Sequence, residues 1–293
     1  MKLATVKIGE GEEAAVMIQK GVVYVRTVNE KLNQNWPLEV FELIETGQLE
    51  KMNQWYKNGG KKAIEELDEI IPKEEVLFRP LYRNPRKIWG IGLNYVDHAA
   101  DLSEKAPSIA PASFMKPDTT IIGYKDDIKI PLQSDKTTGE SELGVIIGKR
   151  CKDVERENWI DVVAGFTTII DMTAEDILKL NPRYLTRAKS FDTFFSFGPC
   201  LVTPDEIEDV LTLQVATVIN KKIHAQNTVS NMTFPPDHLV SFHSKVMTML
   251  PGDIISTGTP RAVHIHEGDV IECWIDGLEP LINPVIDLKI KKK

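Results

Sequence analysis

The sequence predicts an α+β protein, with a small mixed module over residues 1–80 and a larger β-rich unit over 81–293. Three observations lead there. Short apolar runs broken by Gly and Pro recur from residue 87 to the C-terminal region, with few helical patterns between them. Helical periodicity is concentrated between residues 38 and 71. The chain has 293 residues, 42% hydrophobic and 27% charged, an ordinary globular composition with length for one large domain or two smaller ones.

In the N-terminal module, 3–8, 14–18 and 22–28 are predicted strands, with Gly21 supplying a turn. Helical patterns follow at 38–46, 49–57 and 61–71; Gly59-Gly60 separates the last two and Pro72 helps end the third. Residues 78–85 are predicted as a linker. Beyond it, strands are expected at 87–92, 143–148, 162–170, 213–219, 253–257 and 270–275, and helices at 174–180 and 236–249. The architecture expected from this spacing is a β-rich sandwich, roll or barrel. No internal repeat is present. Residues 99–113, rich in Ala, Ser, Pro and charge, are expected to form a mobile lid.

A net charge of −8 argues against nucleic acid as the main partner, because phosphate binding needs a basic face. Lys289, Lys291, Lys292 and Lys293 are expected to form a solvated tail. No apolar run approaches the roughly 20 residues of a membrane helix, and residues 1–7 lack the apolar segment of a signal peptide. Cys151, Cys200 and Cys273 lack metal-type spacing. They are expected to be reduced packing residues in a cytoplasmic protein.

The sharpest chemical signal is Gly139-Glu140-Ser141-Glu142-Leu143-Gly144-Val145-Ile146-Ile147-Gly148. In a strand, residues i and i+2 face the same way. Glu140 and Glu142 therefore point to one side at the mouth of an apolar core. Two like charges there are costly unless paired or bound to a cation, and oxygen ligands suit Mg²⁺ or Mn²⁺. Asp171, after the apolar run 165–170, is the candidate third ligand; its plainer reading is the N-cap of a following helix.

His98 and Asp101 share a face if they lie on one helical turn. A carboxylate beside a histidine fixes its tautomer and makes a general base, though an ordinary surface ion pair is the commoner outcome. Lys189, among apolar and aromatic residues, is a candidate cation for a developing oxyanion or else a snorkelling surface lysine. Thr257-Gly258-Thr259-Pro260 suits a carboxylate or carbonyl, or is simply a turn. His264 and His266 alternate and are weaker metal candidates, with Glu267-Gly268 pointing to a solvated turn; His224, His238 and His243 show no obvious partner.

Together these segments resemble one family. Gly92-Leu93-Asn94-Tyr95-Val96-Asp97-His98, Phe114-Met115-Lys116-Pro117, residues 139–149, Asp171-Met172-Thr173-Ala174-Glu175-Asp176, residues 189–194 and residues 251–260 form an ordered set similar to the fumarylacetoacetate hydrolase family. The set covers most of residues 85–285. The resemblance implies a mixed β-sandwich roll for the C-terminal domain, a homodimer, and one Mg²⁺ or Mn²⁺, with Ca²⁺ as a further option. It places the metal ligands on Glu140, Glu142 and Asp171, the lid histidine on His98, its acid on Asp101 and the oxyanion lysine on Lys189. It places substrate contacts on Tyr95 and Thr259, with Arg187 or Arg261 as a candidate carboxylate partner. Three positions depart from the family pattern: Asp101 replaces the usual Glu, Leu93 stands where many members have Arg or Lys, and Glu175 where many have Arg. Loss of those cations should weaken affinity for a second substrate carboxylate.

The resulting expectation is hydrolysis of a carbon–carbon bond in an acylpyruvate or related β-diketo acid. His98 would take a proton from water, and Lys189 with the cation would stabilise the enolate leaving group. Oxaloacetate decarboxylation and isomerisation or hydration of a 2-hydroxy-dienedioate use the same enolate chemistry. A non-catalytic metabolite-binding relative and an iron oxygenase using His264 and His266 are the readings from other classes.

Overall fold

The computed structural model describes residues 1–95 and 109–290. The first part carries β1 (Lys2–Ile8), β2 (Gly11–Ile18), β3 (Gly21–Tyr24), α1 (Val25–Lys31), α2 (Val40–Glu45), α3 (Gln48–Trp55), α4 (Lys61–Glu65) and β4 (Phe78–Arg79). Then follow β5 (Ile88–Gly92), β6 (Ala112–Lys116), β7 (Ile121–Ile122), β8 (Ile128–Ile130), β9 (Thr137–Ile147) and β10 (Val163–Ala174). Helices α5 (Glu175–Leu180) and α6 (Leu185–Lys189) precede β11 (Phe195–Val202), β12 (Gln214–Ile219) and β13 (Lys222–Thr228). Last come α7 (Pro236–Val246), β14 (Ile254–Ser256), β15 (Val263–His264), β16 (Val270–Ile275) and β17 (Leu281–Asp287).

The strands make two sheets, so the α+β, sheet-dominated expectation holds. The larger runs β3-β2-β1-β11-β10-β9-β14-β5-β6, with β15 on β9, β4 on β1 and β7 on β11. The smaller runs β13-β12-β16-β17-β8. Strand β1 pairs with β11, so the N-terminal strands extend the same sheet that carries the central pair β9 and β10.

Both faces of that sheet are covered, which explains why β9 is buried along its whole length. Leu143, Val145 and Ile147 share a core with Val215, Ile271, Cys273 and Leu281 of the smaller sheet. Ile146 and Ile169 belong to a second core with Leu43, Ile44, Met52 and Ile64 of the N-terminal helices. By the alternation of side chains, Glu140 and Glu142 share the face of Ile146. The sheet also curls: edge strand β6 packs on α6, and its last residue, Lys116, reaches Asp171 on β10.

Several predicted boundaries moved. The strand expected over 22–28 stops at Tyr24, and Val25 and Val28 are buried by α1 instead. The helix expected over 61–71 ends at Glu65, because Ile71 exchanges backbone hydrogen bonds with Val22 (2.8 and 2.9 Å). Part of the expected linker is β4, which pairs with β1. The helix expected to reach residue 249 ends at Val246. The three cysteines are free. Of the expected lid, 99–108 lies outside the described residues, and 112–113 begin β6. No helix among the described residues is long and apolar enough to cross a membrane.

Candidate metal centre and active site

Strands β9 and β10 pair antiparallel with Glu140 opposite Asp171 and Glu142 opposite Ile169. Directly opposed residues share a face, so the register brings the three acids together. Glu140, Glu142 and Asp171 each offer a carboxylate oxygen, all within 4.8 Å of one another. They are 7%, 2% and 0% exposed. Strand β10 continues through Asp171 to Ala174, and Ala174 rather than Asp171 stands at the N-cap of α5.

Each carboxylate is held. Glu140 Oε1 accepts from Thr173 Oγ1 (2.6 Å) and Thr138 Oγ1 (3.1 Å). Lys189 Nζ donates to Glu140 Oε2 (2.8 Å) and Asp171 Oδ2 (2.7 Å). Lys116 Nζ donates to Asp171 Oδ1 (2.6 Å) and makes a short contact with the Lys189 carbonyl. Glu142 Oε2 accepts from Ser256 Oγ (2.6 Å) and the Gly258 N–H (2.8 Å). The Phe114 ring covers Lys189, 4.9 Å from Nζ to its centroid. That ring lies over Gly90, where a Cβ would meet it at 2.2 Å.

The electrostatics follow from burial and charge. Burial, then Asp171 and Glu140, push Glu142 up to about 8 against the pull of Lys189 and Ser256. Burial draws Lys116 down to about 8 although Asp171 opposes it. Burial also draws Lys189 down, but Asp171, Glu140 and Glu142 outweigh it and raise it above its ordinary value. Fully ionised, three carboxylates and two ammoniums leave one net negative charge in a buried site. A hard divalent cation fits this all-oxygen donor set.

The structure thus gathers Glu140, Glu142, Asp171 and Lys189. His98 and Asp101 lie outside the described residues. Thr259 is buried beside Gly258, and its hydroxyl donates to the Arg261 carbonyl (3.1 Å). Tyr95 is fully buried, its hydroxyl has no partner among the described residues, and burial with Glu142 raises it. Arg187 is exposed on α6, where it lines a cavity of about 360 Å³ with Tyr184 and Phe191. His243 does have partners: Leu239 O at 2.8 Å and Ser113 Oγ at 2.7 Å. His264 meets Glu175 at 2.6 Å, and His266 meets Asp269 at 3.4 Å.

Sequence reasoning assigned no role to Lys116 or to Asn94. Lys116 stood inside a quoted segment, and its signal is a lysine closing a strand before Pro117. Asn94 ties three segments together: Nδ2 donates to Thr257 O (2.7 Å) and Phe234 O (2.9 Å), and Oδ1 accepts from Phe234 N (2.9 Å). Gly258, at φ +99° with Asn94 Cβ 2.7 Å from where its Cβ would be, is thereby fixed to feed Glu142.

Residues 87–286 match the Fumarylacetoacetate (FAA) hydrolase C-terminal family. The chain belongs to this family. It is 34% identical over 235 residues to the mitochondrial oxaloacetate tautomerase fahd2 of Xenopus laevis, across 77% of this chain and 73% of that one. Maleylpyruvate hydrolase from Sphingobium sp. SYK-6, solved with manganese(II) and pyruvate, superposes with a TM-score of 0.79 at 27% identity, covering 98% of this chain and 99% of that one. The 2-hydroxyhepta-2,4-diene-1,7-dioate isomerase from Mycobacterium marinum does so with a TM-score of 0.68 at 32% identity, covering 76% and 82%.

Proposed function

We propose that this chain is an enzyme that binds Mg²⁺ or Mn²⁺ on Glu140, Glu142 and Asp171 and interconverts the keto and enol forms of a small 2-oxo acid, with oxaloacetate the first substrate to test. The observation that carries this reading is the convergence of three buried carboxylates within 4.8 Å, two of them bonded by the Lys189 ammonium. A cation held there supplies Lewis acidity to the 2-oxo and carboxylate oxygens of the substrate. The residues of the chain do the rest. Lys189 and Lys116, both buried, present positive charge to the oxygen that becomes an enolate. His98, oriented by Asp101, carries the proton between C3 and that oxygen. One C–H bond breaks and one O–H bond forms, with no oxidant consumed. The two named relatives above 30% identity are an oxaloacetate tautomerase and a 2-hydroxyhepta-2,4-diene-1,7-dioate isomerase, and neither reaction breaks a carbon–carbon bond, which is why proton transfer leads.

The second reading is carbon–carbon hydrolysis of an acylpyruvate, and it draws on the likeness to maleylpyruvate hydrolase. In it His98 takes a proton from water, the hydroxyl adds to the distal carbonyl, and the C–C bond breaks to give a carboxylate and the pyruvate enolate. Decarboxylation of oxaloacetate would release CO₂ and leave the same enolate.

The test follows three signals side by side with Mg²⁺ or Mn²⁺ present and Glu142→Ala as control. These are the decay of enol-oxaloacetate, pyruvate from oxaloacetate, and pyruvate from acetylpyruvate. Metal-dependent enol decay that disappears in the control supports the tautomerase reading. Pyruvate from oxaloacetate alone makes the chain a decarboxylase, and pyruvate from acetylpyruvate makes it a hydrolase. Silence on all three, with the protein folded, refutes the enolate reading for these substrates.

A further inference from the structure

His243 has no partner that the sequence suggests, yet the structure gives it two. It is fully buried on α7. Its Nδ1 lies 2.8 Å from the Leu239 carbonyl, and its Nε2 lies 2.7 Å from Ser113 Oγ on β6. A carbonyl oxygen only accepts, so Nδ1 carries the proton of the neutral ring and Nε2 accepts from the Ser113 hydroxyl. Burial lowers the pKa of this ring; the Leu239 bond opposes that and His238 adds to it. The ring is wedged between Trp89 of β5, 4.7 Å between centroids, and Phe242 of its own helix, at 5.3 Å. Helix α7 is a firm base for it, since Ser244 accepts from the Val154 N–H at 2.9 Å and Asp237 pairs with Arg156 at 2.7 Å.

Strand β6 closes one edge of the larger sheet and pairs with β5. Ladder bonds set its register; the tilt of an edge strand is set by what its two faces touch. Phe114 and Lys116 share the face turned to the site, where one covers Lys189 and the other bonds Asp171. Ser113 and Met115 share the opposite face, across from Ile91 and Trp89 of β5. Met115 is 37% exposed and grips nothing strongly there. Ser113 meets the buried His243, and its other acceptor, the Pro111 carbonyl, is farther away at 3.4 Å. We propose that His243 is a positioning residue for the active site: through Ser113 it sets the tilt of β6, and so the placement of Phe114 and Lys116 against Lys189 and Asp171. The effect on β6 stands on the geometry alone, and its consequence for turnover rests on the enolate reading above.

The first readout needs neither metal nor substrate. The full chain is treated with a limiting dose of acetic anhydride, and acetylation of Lys116 is followed by mass spectrometry. Lys87, immediately before β5 and bonded to Asp253 at 2.6 Å, is the control for general loosening. Loss of one neutral hydrogen bond should raise labelling of Lys116 relative to Lys87 by about three- to tenfold, both in Ser113→Ala and in His243→Leu. His243→Gln offers a side-chain oxygen to Ser113 and should stay within about twofold of wild type. Ser113→Ala combined with His243→Leu should go no further than the larger single effect, because both remove the same bond. In steady-state assays kcat should fall as labelling rises, with KM little changed, because Phe114 and Lys116 serve the enolate rather than its chelation. Labelling of Lys116 that is unmoved in folded Ser113→Ala, that rises equally at Lys87, or that multiplies in the double variant overturns the positioning role. Labelling that rises while kcat holds overturns the link to the active site. Absence of turnover in wild type overturns the enolate reading and leaves the labelling result to decide the anchor by itself.

Discussion

Replacing Glu142 by Gln removes a charge and keeps the shape, so it isolates what burial does to this carboxylate. Its partners Ser256 Oγ and Gly258 N–H can donate to an amide oxygen as they do to Oε2. In the folded protein Glu142 is pushed from an ordinary 4.5 up to about 8, first by burial and then by Asp171. Between those values the folded protein holds a proton that the unfolded chain has released. Its contribution is therefore fully present below pH 4.5 and is lost as the pH rises to about 8, at about 1.4 kcal/mol per pH unit. At pH 7 the metal-free wild type has lost about 3 kcal/mol that Glu142→Gln keeps. The assay is urea unfolding in EDTA at pH 5 and pH 7 for both proteins. The stability gap should move by about 2–3 kcal/mol in favour of the variant between the two values. Taking up a cation requires the same proton to leave, so Mn²⁺ affinity of the wild type should climb by up to about tenfold per pH unit below 8. A gap that does not change with pH would mean that Glu142 titrates as an ordinary acid, and the account of the site as a buried pocket would be refuted.

Three other substitutions probe the surroundings. Lys189→Met leaves Glu140 and Asp171 without their shared ammonium and should cost about 3–5 kcal/mol in EDTA; Mn²⁺ should restore much of the stability, while turnover stays down by about 10²-fold or more, measured by urea unfolding and steady-state rates. Asn94→Ala strands the Phe234 N–H and two carbonyls, at about 1–3 kcal/mol for each group left unpaired. It also frees the loop that feeds Glu142, so Mn²⁺ affinity by calorimetry should fall by about tenfold or more. Gly258→Ala asks for φ +99° and a Cβ 2.7 Å from Asn94 Cβ; a loss of about 1–3 kcal/mol with weakened Mn²⁺ binding is expected, and an unchanged melting midpoint would disprove the tight approach.

Glu140 and Glu142 were legible because the strand repeat of two needs only adjacent residues. Asp171 was half legible: an acid after an apolar run fits both a strand ligand and a helix cap, and only the register with Glu140 decides. Lys116 was not legible as part of the site, because a lysine ending a strand usually snorkels to water. What buries it is the curl of the sheet, which brings it to a residue 55 positions away. The same holds for Asn94, whose partners lie 140 and 163 residues on. Local pattern misled at 25–28, where Val25 and Val28 suit a strand but lie three apart, the spacing of one helical face.

The division of labour among the three carboxylates has a consequence for how a cation could be admitted. Asp171 has both oxygens on ammoniums, Oδ1 on Lys116 and Oδ2 on Lys189. Glu140 divides its oxygens between two hydroxyls and Lys189. Glu142 is held by neutral donors, Ser256 and Gly258, and burial, then Asp171, push it up to about 8. Lys189 is the group shared between Glu140 and Asp171, and its charge competes directly with any cation for those two oxygens. A cation there would weaken those bonds, and the Lys189 ammonium would stay among the buried groups of the site because the Phe114 ring lies over it. The cation and the Lys189 ammonium would then both set positive charge beside the substrate. Lys189→Met should accordingly uncouple the two, with metal uptake preserved and stabilisation of the enolate lost.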